Sequence, residues 1–295
     1  MIPQLTIAIP AYNAEPYIRT TLTSCLQQTT PPFEILLSDD GSTDNTPQIL
    51  QAYADHPRVR LVSPPHRLGL GGHYRHLVHQ AQGTHLVMLS CDDALHPNFV
   101  QTAVEHLRQR PDLGMLIFSG YLCNAVMQPQ SRFGLSYPRQ TLEPPAGFDH
   151  FIDACTYLIS FTVWPTALLK ALPPLPDQAG FATDWYWALN AGLQTPVQFS
   201  RKPLGYYRYH EANASHSNRE RWTQQAVEML SFLASHDWLE PERRSQVVSC
   251  MKQYIEGRVD TSESKPVNLQ SVNLIKQLIK RLSVNSFAYH PSFLR

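Results

Sequence analysis

The residues best suited to chemistry lie in three short loops near the start of the chain. Two loops contain adjacent aspartates, at positions 39–40 and 92–93, and the third spans residues 10–13. Adjacent carboxylates repel each other unless a donor or cation compensates, and a hard divalent ion that shares diphosphate oxygens is one solution. A carboxylate at a strand end can also accept hydrogen bonds from a uracil-like base or from ribose hydroxyls.

The same loops are also consistent with ordinary turn chemistry. Gly41 permits a tight turn, and Ser42 or Thr43 can cap the helix that follows. Solvated loop acids are therefore the alternative interpretation of each pair taken alone.

The elements that must position these loops alternate between short apolar strands and amphipathic helices. This alternation predicts an α/β fold with a parallel sheet and right-handed crossovers. Because the carboxyl ends of parallel strands meet at one crevice, we expect the three loops to converge there. The predicted strands are residues 5–9, 33–37, 59–62, 85–89 and 113–118.

Beyond residue 120 the pattern is less regular. Four prolines interrupt residues 120–147, which we predict to be loops over the crevice. The glycines at positions 69, 71 and 72 predict a flexible loop, too irregular for a phosphate-binding loop. Helical patterns are predicted at residues 148–172, 182–191, 223–235, 241–256 and 269–282, and a turn and strand at 197–209.

The composition excludes several classes of protein. Lysine plus arginine balances aspartate plus glutamate, 24 against 24, so no overall field attracts nucleic acid. The five cysteines are scattered and form no CxxC pair, which argues against a disulfide framework or a zinc ribbon and fits the cytoplasm. Neither a secretory leader nor the ~20 uninterrupted apolar residues of a spanning helix is expected.

Four segments resemble glycosyltransferase family 2. Residues 7–46, IAIPAYNAEPYIRTTLTSCLQQTTPPFEILLSDDGSTDNT, resemble its opening, and residues 86–100, LVMLSCDDALHPNFV, resemble its metal-binding segment. Residues 182–192, ATDWYWALNAG, and 207–215, YRYHEANAS, resemble the segments that carry the catalytic base and end the catalytic domain. The resemblance implies the GT-A fold, a Rossmann-like mixed and mostly parallel sheet flanked by helices, with a helical C-terminal extension here.

The resemblance also implies a division of the chain and a reaction. Residues 1–215 would form the catalytic domain, with a nucleotide-binding half (1–110) and an acceptor half (111–215), and residues 216–295 the extension. The implied activity is an inverting, metal-dependent transfer of a hexose from a nucleotide-diphosphate sugar, with UDP expected, to a carbohydrate hydroxyl in surface polysaccharide assembly. Mn²⁺ or Mg²⁺ would be the cofactor.

Roles for individual residues follow from the same resemblance. Asp184 would be the general base, Asp93 the direct metal ligand, and His210 a further ligand. Asp40 would take the uracil edge beside Asp39. The remaining donor contacts would be Pro10, Ala11 and Tyr12 at the base and ribose, Asp92 at the ribose, and Arg67 at the phosphates, with Arg75 as the alternative to Arg67.

One departure from the family pattern concerns the metal. Ser90 and Cys91 precede Asp92 where many members carry further acids, so a weaker metal affinity is expected. Three histidines at positions 73, 76 and 79 form no zinc set, because their phase drifts by about 60° per step on a helix and no carboxylate or cysteine completes the ligands.

Two other functions remain open from the sequence. Transfer to a polyprenyl phosphate would use an acceptor that is already ionised, and a non-catalytic nucleotide-sugar or glycan-binding module would fit the thinned metal motif. Residues 269–282 combine an apolar stripe with basic residues, so this helix could contact the inner membrane face that carries a lipid-linked acceptor. It could equally pack on its own catalytic domain or on a second subunit of a homodimer.

Overall fold

The computed structural model describes residues 3–153, 156–211, 213, 219–236 and 239–255. The chain divides into two compact units. The first comprises Met1–Pro174 and Thr183–Asn213, and the second comprises Leu175–Ala182 with the described residues after Ala214. The division of function at residue 215 stays a prediction, and the expected helix at 269–282 lies outside the described residues.

The first unit contains a sheet and its flanking helices. Its elements in chain order are β1 (Leu5–Ala11), α1 (Ile18–Leu26), β2 (Glu34–Asp39), α2 (Thr46–Gln51), β3 (Val59–Leu61), α3 (Gly69–Gln80), β4 (His85–Met88), β5 (Ala94–Leu95), α4 (Phe99–Gln109), β6 (Met115–Cys123), β7 (Pro129–Phe133), α5 (Ala146–Asp153), β8 (Thr162–Pro165), α6 (Thr166–Ala171), α7 (Thr183–Gln194) and β9 (Val197–Arg208). The second unit contains α8 (Arg219–Ala234) and α9 (Pro241–Ile255).

Within the described residues, nine strands form one mixed sheet. Its order is β3-β2-β1-β4-β8-β6-β9-β5, and β7 pairs with β6. Strands β3, β2, β1 and β4 are parallel, as are β6 and β9, whereas β8 runs antiparallel to both β4 and β6. The predicted α/β class with a mixed, mostly parallel sheet and flanking helices is confirmed for the amino-terminal half.

Burial explains why the strands of that half form the centre of the sheet. All seven residues of β1 are buried, and five of the six in β2, so both faces of these strands are covered. Helix α1 turns Ile18, Leu22 and Cys25 toward the same core. The carboxyl ends of β2, β1 and β4 therefore open together at one edge.

Three sequence predictions were wrong. Residues 69–72 belong to α3 and not to a loop, and residues 120–147 include the end of β6 and all of β7. The helix expected over residues 148–172 is interrupted by β8, whose Val163 and Trp164 are buried. A short apolar run gives no periodicity that separates a strand from a buried helical segment.

Two glycines allow close packing of β9 against β6 and the Phe161 ring. An added Cβ on Gly205 would lie 2.2 Å from the Phe161 ring, and one on Gly120 would lie 2.3 Å from the Gly205 carbonyl oxygen. Only glycine permits this approach. Strand β5 then pairs with β9 through Ala94 and Tyr206, which places the chain after β9 beside the second aspartate loop.

Candidate active site

Backbone and side-chain hydrogen bonds join the three predicted loops. The Asp40 amide donates to the Ala11 carbonyl oxygen at 2.9 Å, and the Asn13 amide donates to Ser42 Oγ at 2.8 Å. The Tyr12 backbone amide donates to the Cys91 sulfur. The expected convergence of the loops at the carboxyl edge is therefore present.

In the first aspartate pair, the two carboxylates face different surroundings. Asp40 is 3% exposed, and its two oxygens accept from the backbone amides of Leu68 and Gly69 at 2.6 and 2.8 Å, which fixes the start of α3. Asp39 is half-buried and accepts from the Gly41 and Ser42 amides and from Ser42 Oγ. A base could reach Asp39, whereas Asp40 is covered by the helix it anchors.

Tyr12 and Arg67 meet above the first loop. Tyr12 is 39% exposed, and Arg67 Cζ lies 4.1 Å from the centroid of its ring, within cation–π distance. Pro10 and Ala11 are buried within β1, and the Ala11 carbonyl is already used by Asp40. Of the three residues predicted to contact the base and ribose, Tyr12 is therefore the one whose side chain is exposed enough to stack on a base.

The second aspartate pair repeats the arrangement of the first. Asp93 is 1% exposed; its Oδ1 accepts from the Arg208 amide at 3.0 Å and its Oδ2 from Ser160 Oγ at 2.6 Å. Burial raises the pKa of Asp93 well above its usual value, and the charge of Asp92 adds to the rise. Asp92 keeps 19% of its side chain exposed. The prediction of Asp93 as the direct metal ligand therefore conflicts with its burial, and Asp92 is the accessible carboxylate.

His210 lies directly against Asp92. Its Nε2 is 3.0 Å from Asp92 Oδ2, and the side-chain nitrogen of Asn213, Nδ2, donates to the same oxygen at 3.2 Å. On the other side of the imidazole, Tyr17 Oη is 3.2 Å from Nδ1, and the two rings stack with centroids 4.3 Å apart. The carboxylate and imidazole are thus held together by side chains from distant parts of the sequence.

Arg208 secures the aspartate loop rather than facing outward. Its Nε donates to the Asp92 carbonyl oxygen at 2.8 Å and its Nη1 to that of Ala125 at 2.7 Å, and the residue is only 5% exposed. This arginine joins β9, the aspartate loop and the β6–β7 connection. It is therefore placed to stabilise the loop.

Asp184 is the second residue of α7, where a carboxylate also interacts favourably with the helix dipole. Its Oδ1 accepts from the following amide of Trp185 at 2.8 Å, and Tyr157 Oη donates to its carbonyl oxygen at 2.7 Å. Burial raises the pKa of Asp184 to about 6. The pKa of Tyr74 is raised chiefly by burial and further by the charges of Asp184, Cys91, Asp92 and Asp93.

The donor groups fit a divalent ion only in part. No cluster of three or more His, Cys, Asp or Glu suited to a metal occurs in the described part of the chain. Two donors in adjacent positions around one ion, each roughly 2.1 Å from it, would lie about 3.0 Å apart. Asp92 Oδ2 and His210 Nε2 have this separation, which is also that of the hydrogen bond or ion pair between them. Ions such as Mg²⁺ commonly bind one or two protein groups and complete their ligands with substrate phosphates and water.

Three residues of this site were missed by sequence reasoning. Ser160 holds Asp93, and Tyr17 and Asn213 hold His210 and Asp92. Asn213 stands three positions after His210 within the segment that resembles the family, which was the available signal. Tyr17 also lies within a segment that resembles the family, residues 7–46, but its contact with His210 spans 193 positions, and Ser160 lies outside all four segments. Two histidines of α3 have structural contacts: His73 Nε2 lies 2.7 Å from Ser38 Oγ, and His76 Nε2 contacts the Val62 carbonyl oxygen.

The mixed sheet with acidic loops at its carboxyl edge is the GT-A fold of glycosyltransferases. The family model for glycosyl transferase family 2 matches residues 6–163, more than half of the chain. The chain belongs to this family.

Related proteins agree with this classification. The chondroitin synthase of Escherichia coli is 39% identical over 109 residues, which is 37% of this chain and 16% of that protein. The putative glycosyltransferase EpsH of Bacillus subtilis strain 168 is 22% identical over 255 residues, 82% of this chain and 72% of that protein. The chain matches only 14–16% of the length of the chondroitin and hyaluronan synthases, so their activities do not transfer directly.

Solved structures share the fold at low sequence identity. TarS 1-349 of S. aureus in complex with UDP-GlcNAc has a TM-score of 0.70 and 21% identity, with 95% of this chain and 83% of that chain covered. The mannosyltransferase PcManGT from Pyrobaculum calidifontis, in complex with GDP-Man and Mn²⁺, has a TM-score of 0.59 and 16% identity, with 98% and 88% covered. Among the described residues of this chain, no helix is long and apolar enough to cross a membrane.

Proposed function

We propose that this protein is an inverting, metal-dependent glycosyltransferase that moves a sugar from a UDP-sugar to a carbohydrate hydroxyl during polysaccharide synthesis. The observation that carries the proposal is the contact of Asp92 with His210 at the carboxyl edge, beside the loops that contain Tyr12 and Asp39. The UDP-GlcNAc complex of TarS and the polysaccharide synthases among the relatives support this donor and acceptor class.

The donor nucleotide would lie between the first two loops. The ring of Tyr12 offers a stacking face for the base, and the accessible Asp39 carboxylate can accept the N–H of uracil. Asp39 therefore replaces Asp40 in the proposed base contact, because Asp40 is buried beneath the start of α3. Arg67 would leave or share the Tyr12 ring and add positive charge near the phosphates.

The diphosphate end of the donor would lie at Asp92 and His210. These two residues would hold Mn²⁺ or Mg²⁺, while Asp93 and Arg208 keep the loop in place. A bound divalent ion would act as a Lewis acid that stabilises the charge of the departing diphosphate. A site with only two protein ligands fits the weaker metal affinity expected from Ser90.

Asp184 would act as the general base. Its raised pKa lies near the optimum for a base that works close to neutral pH. It would take the proton of the acceptor hydroxyl while that oxygen attacks the anomeric carbon from the face opposite the leaving diphosphate. Because this is a single displacement, the configuration at the anomeric carbon is inverted.

The proposal is tested first by thermal unfolding with UDP, GDP, dTDP and CMP, each with and without Mn²⁺. We expect UDP with Mn²⁺ to raise the unfolding midpoint by a few degrees, because a ligand at about a hundred times its dissociation constant adds ~2.7 kcal/mol. A matching shift with GDP alone would contradict the choice of UDP. Binding without transfer to any glycan or polyprenyl phosphate would favour the binding-module alternative.

Two neighbouring substitutions test the proposed base contact. We expect Asp39→Asn to weaken UDP binding about tenfold, because an amide whose oxygen stays on the turn amides presents a donor rather than an acceptor to the N–H of uracil. Its loss of stability should be the smaller of the two, because Asp39 is half-buried. Asp40→Asn should instead lower the unfolding midpoint, since it weakens two charge-assisted hydrogen bonds at the start of α3. Isothermal titration with UDP and thermal unfolding of both variants measure the difference. The reverse pattern would restore Asp40 as the base contact.

The cellular setting remains part of the proposal. A cytoplasmic enzyme with a lipid-linked carbohydrate acceptor would meet that acceptor at the inner membrane face. The residues expected to contact the membrane or a second subunit, 269–282, lie outside the described structure. Co-sedimentation with liposomes, with and without residues 268–295, tests the membrane contact.

A further inference from the structure

The imidazole of His210 is contacted on both of its ring nitrogens. Asp92 Oδ2 lies 3.0 Å from Nε2, and Tyr17 Oη lies 3.2 Å from Nδ1. The tyrosine ring also stacks on the imidazole, with centroids 4.3 Å apart and 28° between the planes. Tyr17 therefore constrains both the plane of the imidazole and the direction of its nitrogens.

Tyr17 is itself firmly placed. It immediately precedes α1, and its amide donates to the Ala14 carbonyl oxygen at 2.9 Å. The guanidinium carbon of Arg208 lies 5.1 Å from the centroid of its ring, within cation–π distance. A half-buried ring with these neighbours has few alternative rotamers, so it can act as a fixed support.

We propose that Tyr17 is a positioning residue of this site, which holds the His210 imidazole so that Nε2 is directed at Asp92. This inference rests on the proposed function in one respect: the direction of Nε2 matters because His210 is proposed to bind a metal ion. Without a metal, Nε2–H donates to Asp92 and the Tyr17 hydroxyl can donate to Nδ1. Because a tyrosine hydroxyl is both donor and acceptor, it could instead accept Nδ1–H when a cation takes the place of the Nε2 proton. Groups that orient a histidine ligand in this way typically contribute 10–100-fold to metal affinity.

Three variants separate the contributions of the ring and the hydroxyl. Tyr17→Phe removes the hydroxyl and keeps the stacked ring, and Tyr17→Leu removes both. Tyr53→Phe is the matched control, because Tyr53 is a partly buried tyrosine that packs against the hydrophobic core. Thermal unfolding without ligands reports whether each variant is folded.

The first measurement needs no metal. In protein labelled with ¹⁵N-histidine, long-range ¹H–¹⁵N spectra report the tautomer of each imidazole, and His210→Gln identifies the His210 signals. We expect Tyr17→Phe to shift the Nδ1 signal of His210 and Tyr53→Phe to leave it unchanged. Unchanged His210 signals in folded Tyr17→Phe would overturn the proposal.

The second measurement is Mn²⁺ affinity in the presence of UDP, followed by the paramagnetic resonance signal of free Mn²⁺. We expect Tyr17→Phe to bind Mn²⁺ about tenfold more weakly than wild type, Tyr17→Leu more weakly still, and Tyr53→Phe normally. An affinity of Tyr17→Phe within twofold of a Mn²⁺-binding wild type would overturn the role. If wild type binds no Mn²⁺, the proposed metal dependence fails, and the histidine spectra alone decide the placement of His210 by Tyr17.

Discussion

Replacing Asp184 with asparagine is expected to lower kcat by a factor on the order of 10²–10⁴, the usual contribution of a general base. Asparagine has nearly the same shape, and its Oδ1 can still accept the Trp185 amide that bonds Asp184. It cannot take a proton from an acceptor hydroxyl. Steady-state kinetics with a UDP-sugar and an oligosaccharide acceptor measure the loss, while UDP binding should stay close to that of wild type.

The pH dependence of wild type provides an independent check on Asp184. Because its pKa is about 6 and the base acts in its ionised form, kcat/KM should fall about tenfold per pH unit below pH 6. The folded pKa is raised, so burying the charged form costs stability above pH 6, and this cost is absent below the unfolded pKa. Asp184→Asn should therefore not lower the unfolding midpoint at pH 8.

Asp149 supplies the matched control for the kinetics of Asp184→Asn. It is an exposed aspartate in the first turn of α5, and Asp149→Asn should leave kcat unchanged. If Asp184→Asn retains most of its turnover with a hydroxyl acceptor, Asp184 is not the base. Retained turnover only with polyprenyl phosphate would favour the acceptor that is already ionised.

The sequence located the loops of the site, whereas the different burial of the two carboxylates in each pair became visible only in the structure. Apolar strands with polar ends are a strong pattern, and they located all three loops. Successive side chains along an extended backbone point to opposite sides, so one member of each adjacent pair turns inward. Which member does so depends on neighbouring elements, the start of α3 for Asp40 and the pairing of β5 with β9 for Asp93.

Long-range pairing also explains the other omissions. Tyr17 and His210 are separated by 193 positions, and Ser160 and Asp93 by 67. No local periodicity encodes such contacts, which arise from the order of strands in the sheet. Strand β8 was missed for a related reason: it is four residues long and gains its identity from β4 and β6 on either side.

Alanine at Asp92 should mainly lower the affinity for Mn²⁺, whereas alanine at Asp93 should mainly lower the unfolding midpoint. This contrast decides which carboxylate binds the metal. Asp92→Ala removes a partly exposed acceptor from two buried donors, but the Asn213 side-chain amide keeps its bond to the Arg208 carbonyl oxygen, so the unfolding midpoint should fall less than in Asp93→Ala. We expect Mn²⁺ affinity in the presence of UDP to fall at least tenfold, and kcat to fall by on the order of 10²-fold or more, because the charge on the leaving diphosphate is no longer stabilised.

Asp93→Ala should act first on stability. It leaves the buried Arg208 amide without its acceptor, which costs about 1–3 kcal/mol for a buried unsatisfied group, and Ser160 Oγ keeps only Ser90 Oγ as an acceptor. The midpoint should fall by several degrees, while the protein that remains folded at low temperature still binds Mn²⁺. If Asp93→Ala instead keeps its stability and loses Mn²⁺, and Asp92→Ala binds Mn²⁺ normally, then Asp93 is the ligand. The buried carboxylate would in that case have to become accessible when the donor binds, because its present contacts leave it 1% exposed.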